Sequence, residues 1–501
     1  MTSQSSARIP SVVIDGEHLT IEDVHLVSRK YAPVSISPDA HERVKLSRQI
    51  LQKFLDIGKP IYGVNTGFGA LANVRISKEK LKELQRNIIL SHSAGIGNYL
   101  SEDIVRAMIL IRANALAKGL SGVRPVVIEK LLELLNKKIT PAVPEIGSVG
   151  ASGDLAPLSH IAMVLIGEGK ILKDGKDIPF VPSSYDFVPI QLEEKEGLSL
   201  INGTQFMAAH LALIVRDLER LMKIATLIAA SSVDVLLGTP SAFDERIQLA
   251  RPHPGQIKIA QMLRDFLKGS ELRESHKNCS KVQDAYTLRT IPQVYGAVFD
   301  TIEWVKGVVE REINSATDNP LVFEDEIISG GNFHGEPLAL CADFLAIALT
   351  SMGNMIERRI DRLVNPKVNE GLPPFLAGGE EGLNSGYMIW QYTAAALCNE
   401  NKVLSHPASA DSIPTSAYQE DHVSMGATAV RKLRKVFDNL VSLVSIEAML
   451  VSVALDSRRP LNSSCIIEEF YGKIKIKLSE DKYFGDNFNK VKQVILEEVF
   501  S

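Results

Sequence analysis

Gly147-Ser148-Val149-Gly150-Ala151-Ser152-Gly153-Asp154 is the stretch from which the rest of the chain is read. Three of its residues can build an electrophile that no standard side chain supplies. Attack of the Gly153 nitrogen on the Ala151 carbonyl closes a five-membered ring with loss of water. Loss of the Ser152 hydroxyl as a second water turns its Cβ into an exocyclic methylidene, and the product is a methylidene-imidazolone. Gly153 has no Cβ, so its nitrogen can approach and the backbone can bend tightly. Ser152 carries the leaving hydroxyl, and Ala151 does not crowd the ring. The bare tripeptide also suits a small-residue turn. A Gly-x-Ser-x-Gly nucleophile elbow is excluded, because Asp154 stands where glycine is required. Residues 141–154, punctuated by Pro, Gly and Ser, are expected to form an irregular loop.

The chain around this loop has 501 residues, 45 % hydrophobic and 23 % charged, enough for a large core and two or three domains. A net charge of -5 argues against a nucleic-acid or membrane-surface partner. Cys279, Cys341, Cys398 and Cys465 form no Cys-x-x-Cys pair. They read as reduced, mostly packed thiols of a cytoplasmic protein. The polar start, Met1 to Ala7, has no apolar segment of the signal-peptide kind. No run of about 18 uninterrupted apolar residues is present to span a membrane. The best candidate, residues 221–238, is broken by Lys223 and Asp234 and reads as a buried helix.

The first third mixes short elements. Ser11-Val12-Val13-Ile14-Asp15-Gly16 reads as a strand running into a turn, and residues 102–118 and 125–137 carry helical apolar spacing. Residues 170–189 read as a small hairpin or excursion. From about Asn202 helix dominates. Residues 205–237 can sustain more than one long helix, and 294–315, 337–363, 385–404 and 427–456 are similar in length and apolar content. Repeated helices of this length predict a central bundle. Residues 440–455 are apolar nearly all round, as suits a bundle centre or a subunit interface. The expected division is a mixed N-terminal region, 1–200, carrying the Ala-Ser-Gly loop, and a helical region, 201–501.

The segment from Gly147 to His160 resembles the active-site segment of the histidine and aromatic amino acid ammonia-lyases. Six further stretches match that family in order. They are Tyr62-Gly63-Val64-Asn65-Thr66-Gly67-Phe68-Gly69, Asn202-Gly203-Thr204, Gln283-Asp284-Ala285-Tyr286-Thr287-Leu288-Arg289, Ser315-Ala316-Thr317-Asp318-Asn319-Pro320, Gly330-Gly331-Asn332-Phe333-His334-Gly335-Glu336-Pro337 and Gln419-Glu420-Asp421-His422-Val423-Ser424-Met425. The resemblance implies a mainly α fold similar to the fumarase–aspartase superfamily. It implies a homotetramer in which several subunits complete each site. It also implies a prosthetic 4-methylidene-imidazol-5-one formed autocatalytically from Ala151, Ser152 and Gly153.

Elimination of ammonia is hard because the β-hydrogen is weakly acidic and the ammonium leaves poorly, so a covalent electrophile divides the step. The resemblance assigns Tyr62 as the base, and a free phenol, with pKa near 10, needs help to act there. Arg289 matches the position that holds the substrate carboxylate, a task suited to a bidentate guanidinium. Gln283 and Tyr286 lie beside it, Tyr286 with a catalytic assignment. Asn202 matches the residue beside the prosthetic ring, although asparagine also suits a helix N-cap. Phe333 is expected to line the pocket.

Ser91-His92 and Glu420 bear on the substrate. In the family Ser-His at this position goes with histidine, Phe-Leu with phenylalanine and His-Leu with tyrosine. His92 can exchange hydrogen bonds with an imidazole nitrogen, and the carboxylate of Glu420 suits a substrate that can be cationic. The expected reaction is therefore L-histidine to trans-urocanate and ammonia, the first step of histidine degradation. A tyrosine or phenylalanine ammonia-lyase, an aminomutase and an inactive helical assembly protein are the alternatives. Tyr418, Ala285 and Gly335 depart from the pattern of the histidine enzymes, which have asparagine, proline and alanine there. No metal is expected, since His334, Glu336 and His422 lack a His-Glu-x-x-His arrangement, and no nucleotide, since Gly63 to Gly69 lacks a Gly-x-Gly-x-x-Gly fingerprint.

Overall fold

The structure is a computed structural model that describes residues 9–501 except Lys59, Ala72, Asn278 and Ser280. The polar start, Met1 to Ala7, lies outside the described residues. Two compact units are built from interleaved segments. The first takes its residues from Met1–Arg216, Lys306–Ala342 and Pro407–Arg431. The second takes them from Asp217–Val305, Asp343–His406 and Lys432–Ser501. Every strand among the described residues belongs to the first unit, and the remainder is dominated by helix.

In the first unit Val12–Ile14 pairs in parallel with Val34–Ile36, in the register Val12 to Val34. Between them the helix Ile21–Arg29 starts on a capping box, in which Thr20 and Asp23 satisfy each other's backbone amides. The helices Glu102–Ala117 and Pro125–Asn136 follow the expected spacing. Every residue from Ile104 to Ala117 is buried. Arg106 survives there because the carbonyls of Val27, Ser28 and Leu135 accept from its guanidinium. Lys170–Lys173 and Lys176–Pro179 form the expected hairpin, extended by Thr140–Pro141 into three strands. The loop expected over 141–154 is interrupted by one short strand. Pro144–Ile146 pairs antiparallel with Ile96–Tyr99 despite its proline, which occupies the first strand position, where proline is tolerated.

Residues 205–235 form one helix of 31 residues, Gln205–Val235, rather than several. No glycine or proline interrupts them, so nothing nucleates a break before Gly238-Thr239-Pro240. In the second unit, the residues from 440 to 455 are all buried except Ser442, and all of this burial lies within one chain. They are therefore a bundle centre and leave no apolar face for a subunit interface. Glu447, buried among them, is paired with the Arg359 guanidinium at 2.5 and 2.9 Å and accepts from the Ser232 hydroxyl at 2.6 Å. A buried charge persists only with such partners.

By length and mean hydropathy three helical stretches, Glu196–Val235, Glu336–Val364 and Gly426–Ser457, are apolar enough to cross a membrane. Their most apolar windows are 100 %, 67 % and 83 % buried inside the protein, so this apolarity serves the core. All four cysteines are free. Cys341 is buried, but Cys279 and Cys465 are exposed, so fewer are packed than the sequence suggested.

Candidate active site

The Ala-Ser-Gly loop is pinned where distant segments of the first unit meet. Met425 N–H donates to the Val149 carbonyl at 2.8 Å, and the Ser424 hydroxyl and Gly335 N–H donate to the Gly150 carbonyl at 2.9 and 3.2 Å. Gly153 has φ +76°, and a Cβ there would lie 2.3 Å from the Gly203 carbonyl oxygen. Only glycine fits such an approach of backbone to backbone. Asp154 follows at the head of the helix Gln205–Val235. Its N–H donates to Gly203 O at 2.7 Å. Its carboxylate accepts from Phe206 and Met207 N–H at 3.0 and 3.2 Å and from the Ser148 hydroxyl at 2.8 Å. Complete burial nevertheless pushes this carboxyl up to about 7, the three donors opposing the shift.

Ser152 carries its hydroxyl in this structure, so its contacts are those of the unmodified precursor. That hydroxyl donates to Glu420 Oε1 at 2.5 Å. Its carbonyl accepts from Asn202 Nδ2 at 2.7 Å, while Asn202 Oδ1 is buried with no partner among the described residues. Asn202 sits at the C-cap of the short helix Glu196–Ile201, not at the N-cap considered from sequence. The Tyr62 hydroxyl accepts from Gly69 N–H at 3.1 Å. His92 is the last residue of the helix Leu81–His92, and its Nδ1 lies 3.0 Å from the Ser91 hydroxyl. Burial lowers the His92 pKa, against the opposing charge of Glu420, so the ring is neutral at pH 7.

Tyr62, His92, Ser152, Asn202 and Glu420 line one cavity of about 620 Å³, with Phe68, Leu71, Ile88 and Leu198 among its apolar walls. A second cavity, of about 350 Å³, is shared by Ala151, Phe333, His334 and His422, and again by Tyr62, Ser152, Asn202 and Glu420. The two cavities thus bring together seven of the candidate site residues, Tyr62, His92, Ala151, Ser152, Asn202, Phe333 and Glu420, and Gly153 follows Ser152 in the chain without lining either. Gln283, Tyr286 and Arg289 belong to the second unit and line neither cavity. There the Arg289 guanidinium lies 4.7 Å from the Tyr286 ring centroid, and Tyr286 is 71 % exposed.

Tyr418 does not line the cavity either; it is 81 % exposed, while Ser416 and Ala417 beside it face in. A Cβ at Gly335 would meet Met207 Cε at 2.4 Å, so the end of that flexible side chain would have to shift to admit alanine. His334, Glu336 and His422, which show no ligand spacing in sequence, do converge, with donor atoms within 4.8 Å of one another. Both ring nitrogens of His334 already have partners, Nδ1 the Glu336 N–H and Nε2 the His422 carbonyl, each at 3.3 Å. Sequence reasoning missed three supports of the site. Asp154 and Ser148 sat in the quoted motif without a role. Thr415, whose hydroxyl donates to Glu420 Oε2 at 2.6 Å, carried no sequence signal.

The family model described as aromatic amino acid lyase matches residues 19–476. The histidine ammonia-lyase of Caldanaerobacter subterraneus subsp. tengcongensis is 51 % identical over 472 residues, covering 93 % of this chain and 92 % of that protein. Among solved structures, histidine ammonia-lyase from Trypanosoma cruzi is 40 % identical with a TM-score of 0.90, covering 98 % of this chain and 94 % of that one. Tyrosine aminomutase from Streptomyces globisporus is 39 % identical with a TM-score of 0.92, covering 98 % and 97 %. The helical fold, the Ala-Ser-Gly loop with its glutamate and tyrosine, and a match over nearly the whole length establish that the chain belongs to the aromatic amino acid lyase family, within its histidine ammonia-lyase group.

Proposed function

We propose that this enzyme eliminates ammonia from L-histidine to give trans-urocanate, the first step of histidine degradation. The observation that carries the substrate assignment is the presence of His92 and Glu420 in the cavity that holds Ser152 and Tyr62. Both offer polar partners to an imidazole. A phenyl ring would leave them unpaired, and a buried polar site discriminates strongly on that ground.

Ala151, Ser152 and Gly153 fit a methylidene-imidazolone. The Gly153 backbone tolerates no side chain, the Ser152 hydroxyl faces a carboxylate, and Asn202 holds the carbonyl that would become the ring oxygen. When formed, the group supplies the electrophile for amine elimination. The chain's own residues do the rest. Asn202 polarises the Ser152 carbonyl through a buried hydrogen bond. Tyr62 acts as the base for the β-proton. Its oxygen accepts from Gly69 N–H, which fixes the direction of the lone pair that takes the proton. His92, with Nδ1 toward Ser91, keeps Nε2 for the substrate imidazole. Glu420, with Oε1 toward the Ser152 position, acts in catalysis and also meets the cationic or N–H edge of that ring.

Arg289, with Gln283 and Tyr286 beside it, is assigned to the substrate carboxylate by resemblance. The proposal therefore includes a homotetramer with shared sites, for which the exposed Tyr286 ring is available. It includes a cytoplasmic location, supported by the four free thiols. The test is to offer the purified protein histidine, tyrosine and phenylalanine separately, identify the products and weigh the intact chain. Urocanate from histidine and a mass lower than the translated sequence by two waters are expected. Preference for tyrosine or phenylalanine, or a β-amino acid product, would overturn the substrate reading. Full unmodified mass in active protein would overturn the prosthetic group.

A further inference from the structure

Glu420 sits at the end of a strained turn. Thr415 and Glu420 form a backbone bridge, Thr415 N–H to the Glu420 carbonyl at 2.8 Å and Glu420 N–H to the Thr415 carbonyl at 3.3 Å. Between them Ser416, Ala417 and Tyr418 have φ of 50°, 52° and 68°. Three consecutive left-handed residues, none of them glycine, asparagine or aspartate, are disfavoured for L side chains and persist only where the surroundings hold them. The run is also fitted to the tyrosine loop, since a Cβ on Gly69 would lie 2.3 Å from Ser416 Oγ. The Thr415 hydroxyl then donates to Glu420 Oε2 at 2.6 Å, while Oε1 faces the Ser152 hydroxyl at 2.5 Å.

A glutamate carboxylate turns about its last bond in a broad, roughly two-fold well. One oxygen tied to a fixed hydroxyl leaves the other with a fixed direction. We propose that Thr415 is a positioning residue for the reaction. Its backbone closes the strained turn, and its hydroxyl sets the rotation of Glu420 so that Oε1 points at the reacting position. This rests on the reading in which Glu420 acts at the site. Thr415 itself touches no reacting atom, so its removal should act on turnover more than on substrate capture.

The experiment compares Thr415→Val, which keeps the shape and loses the hydroxyl, with Thr415→Ser, which keeps the hydroxyl. Steady-state kinetics on L-histidine and thermal melting are read for both. Thr415→Val is expected to lower kcat about 10- to 100-fold, the range for losing a hydrogen bond to a charged group. KM should change by less than about 3-fold, and Thr415→Ser should recover most of kcat. Equal kcat in Thr415→Val and wild type, or equal loss in both variants, overturns the proposal. A loss that appears only in KM overturns it too. A Thr415→Val protein that melts early is judged by kcat per folded enzyme at a temperature below its melt. If wild type prefers tyrosine or phenylalanine, the substrate reading fails, and the same comparison on that substrate still decides Thr415. If Glu420→Gln keeps full kcat, the role of Glu420 and that of Thr415 fall together.

Discussion

Asp154 gives a stability prediction whose sign and size follow from its burial. Its carboxyl is raised from an ordinary 3.8 to about 7 by complete burial. The folded chain therefore binds this proton more tightly than the unfolded chain. Stability from the group is fully present below about pH 4 and is lost as pH rises through about 7. A span of about three units at 1.36 kcal/mol each makes the whole loss about 4 kcal/mol, of which about 2 to 3 kcal/mol falls between pH 5 and pH 8. Asp154→Asn removes the ionisation and keeps the contacts. An amide oxygen can accept from Phe206 and Met207 N–H, and its NH2 can donate to Ser148 Oγ, whose own proton can turn to the Gly153 carbonyl at 3.4 Å. Both proteins should carry Ser152→Ala, so that prosthetic-group formation does not enter. Unfolding entropy for a chain of this length is about 1 kcal/mol per kelvin, so this loss corresponds to about 2 to 3 °C. Calorimetry at pH 5 and pH 8 should show the Tm of the Asp154→Asn protein, relative to its parent, rising by about 2 to 3 °C across that interval. A relative Tm that stays flat would refute the reasoning. A relative Tm that falls would mean the three donors outweigh burial.

Replacing Ser91-His92 by Phe-Leu should cut kcat/KM for histidine by about 100-fold, near 3 kcal/mol, because the neutral imidazole that faces the cavity is lost. A change below about 3-fold in steady-state assays would remove His92 from substrate recognition. Tyr418→Asn should raise Tm by about 1 °C, since asparagine tolerates the left-handed region and the 81 % exposed tyrosine ring has little packing to lose. A lowered Tm in a melting assay would show that the ring is held by contacts outside its own turn.

The sequence is informative where structure is decided locally. Apolar spacing places Glu102–Ala117 and Pro125–Asn136 nearly to the residue, and of the small hairpin or excursion read over 170–189 the part Lys170–Lys173 and Lys176–Pro179 forms the hairpin. Ser152 is legible because ring closure requires the residue types around it, whereas Tyr62, Asn202 and Glu420 are legible only through the resemblance of their stretches to family motifs. Features that depend on tertiary approach are not legible in this way. His334 and His422 meet across 88 residues, and no spacing rule announces it. Residues 440–455 look the same in sequence whether they are buried by their own chain or by a partner; only the fold distinguishes the two. Thr415 is hidden for another reason. Its partner is five residues away, across a turn whose left-handed backbone the types Ser, Ala and Tyr argue against.

That mismatch of residue and backbone has a consistent logic within the site. At Gly153 the neighbour is the Gly203 carbonyl, and a side chain would remove the approach itself. Glycine is then the only solution, and the bend costs little. At 416–418 the backbone is equally left-handed, yet Ser416 and Ala417 supply wall to the cavity. Glycine would relieve the strain and open that wall. It would also enlarge the set of conformations available to the segment that carries Glu420. Side chains are therefore kept at a conformational cost, and the cost is met by a bridge and a hydroxyl at the two ends of the turn. The strain lies where the chain must present both a surface and a fixed carboxylate, one turn away from the serine whose hydroxyl it contacts.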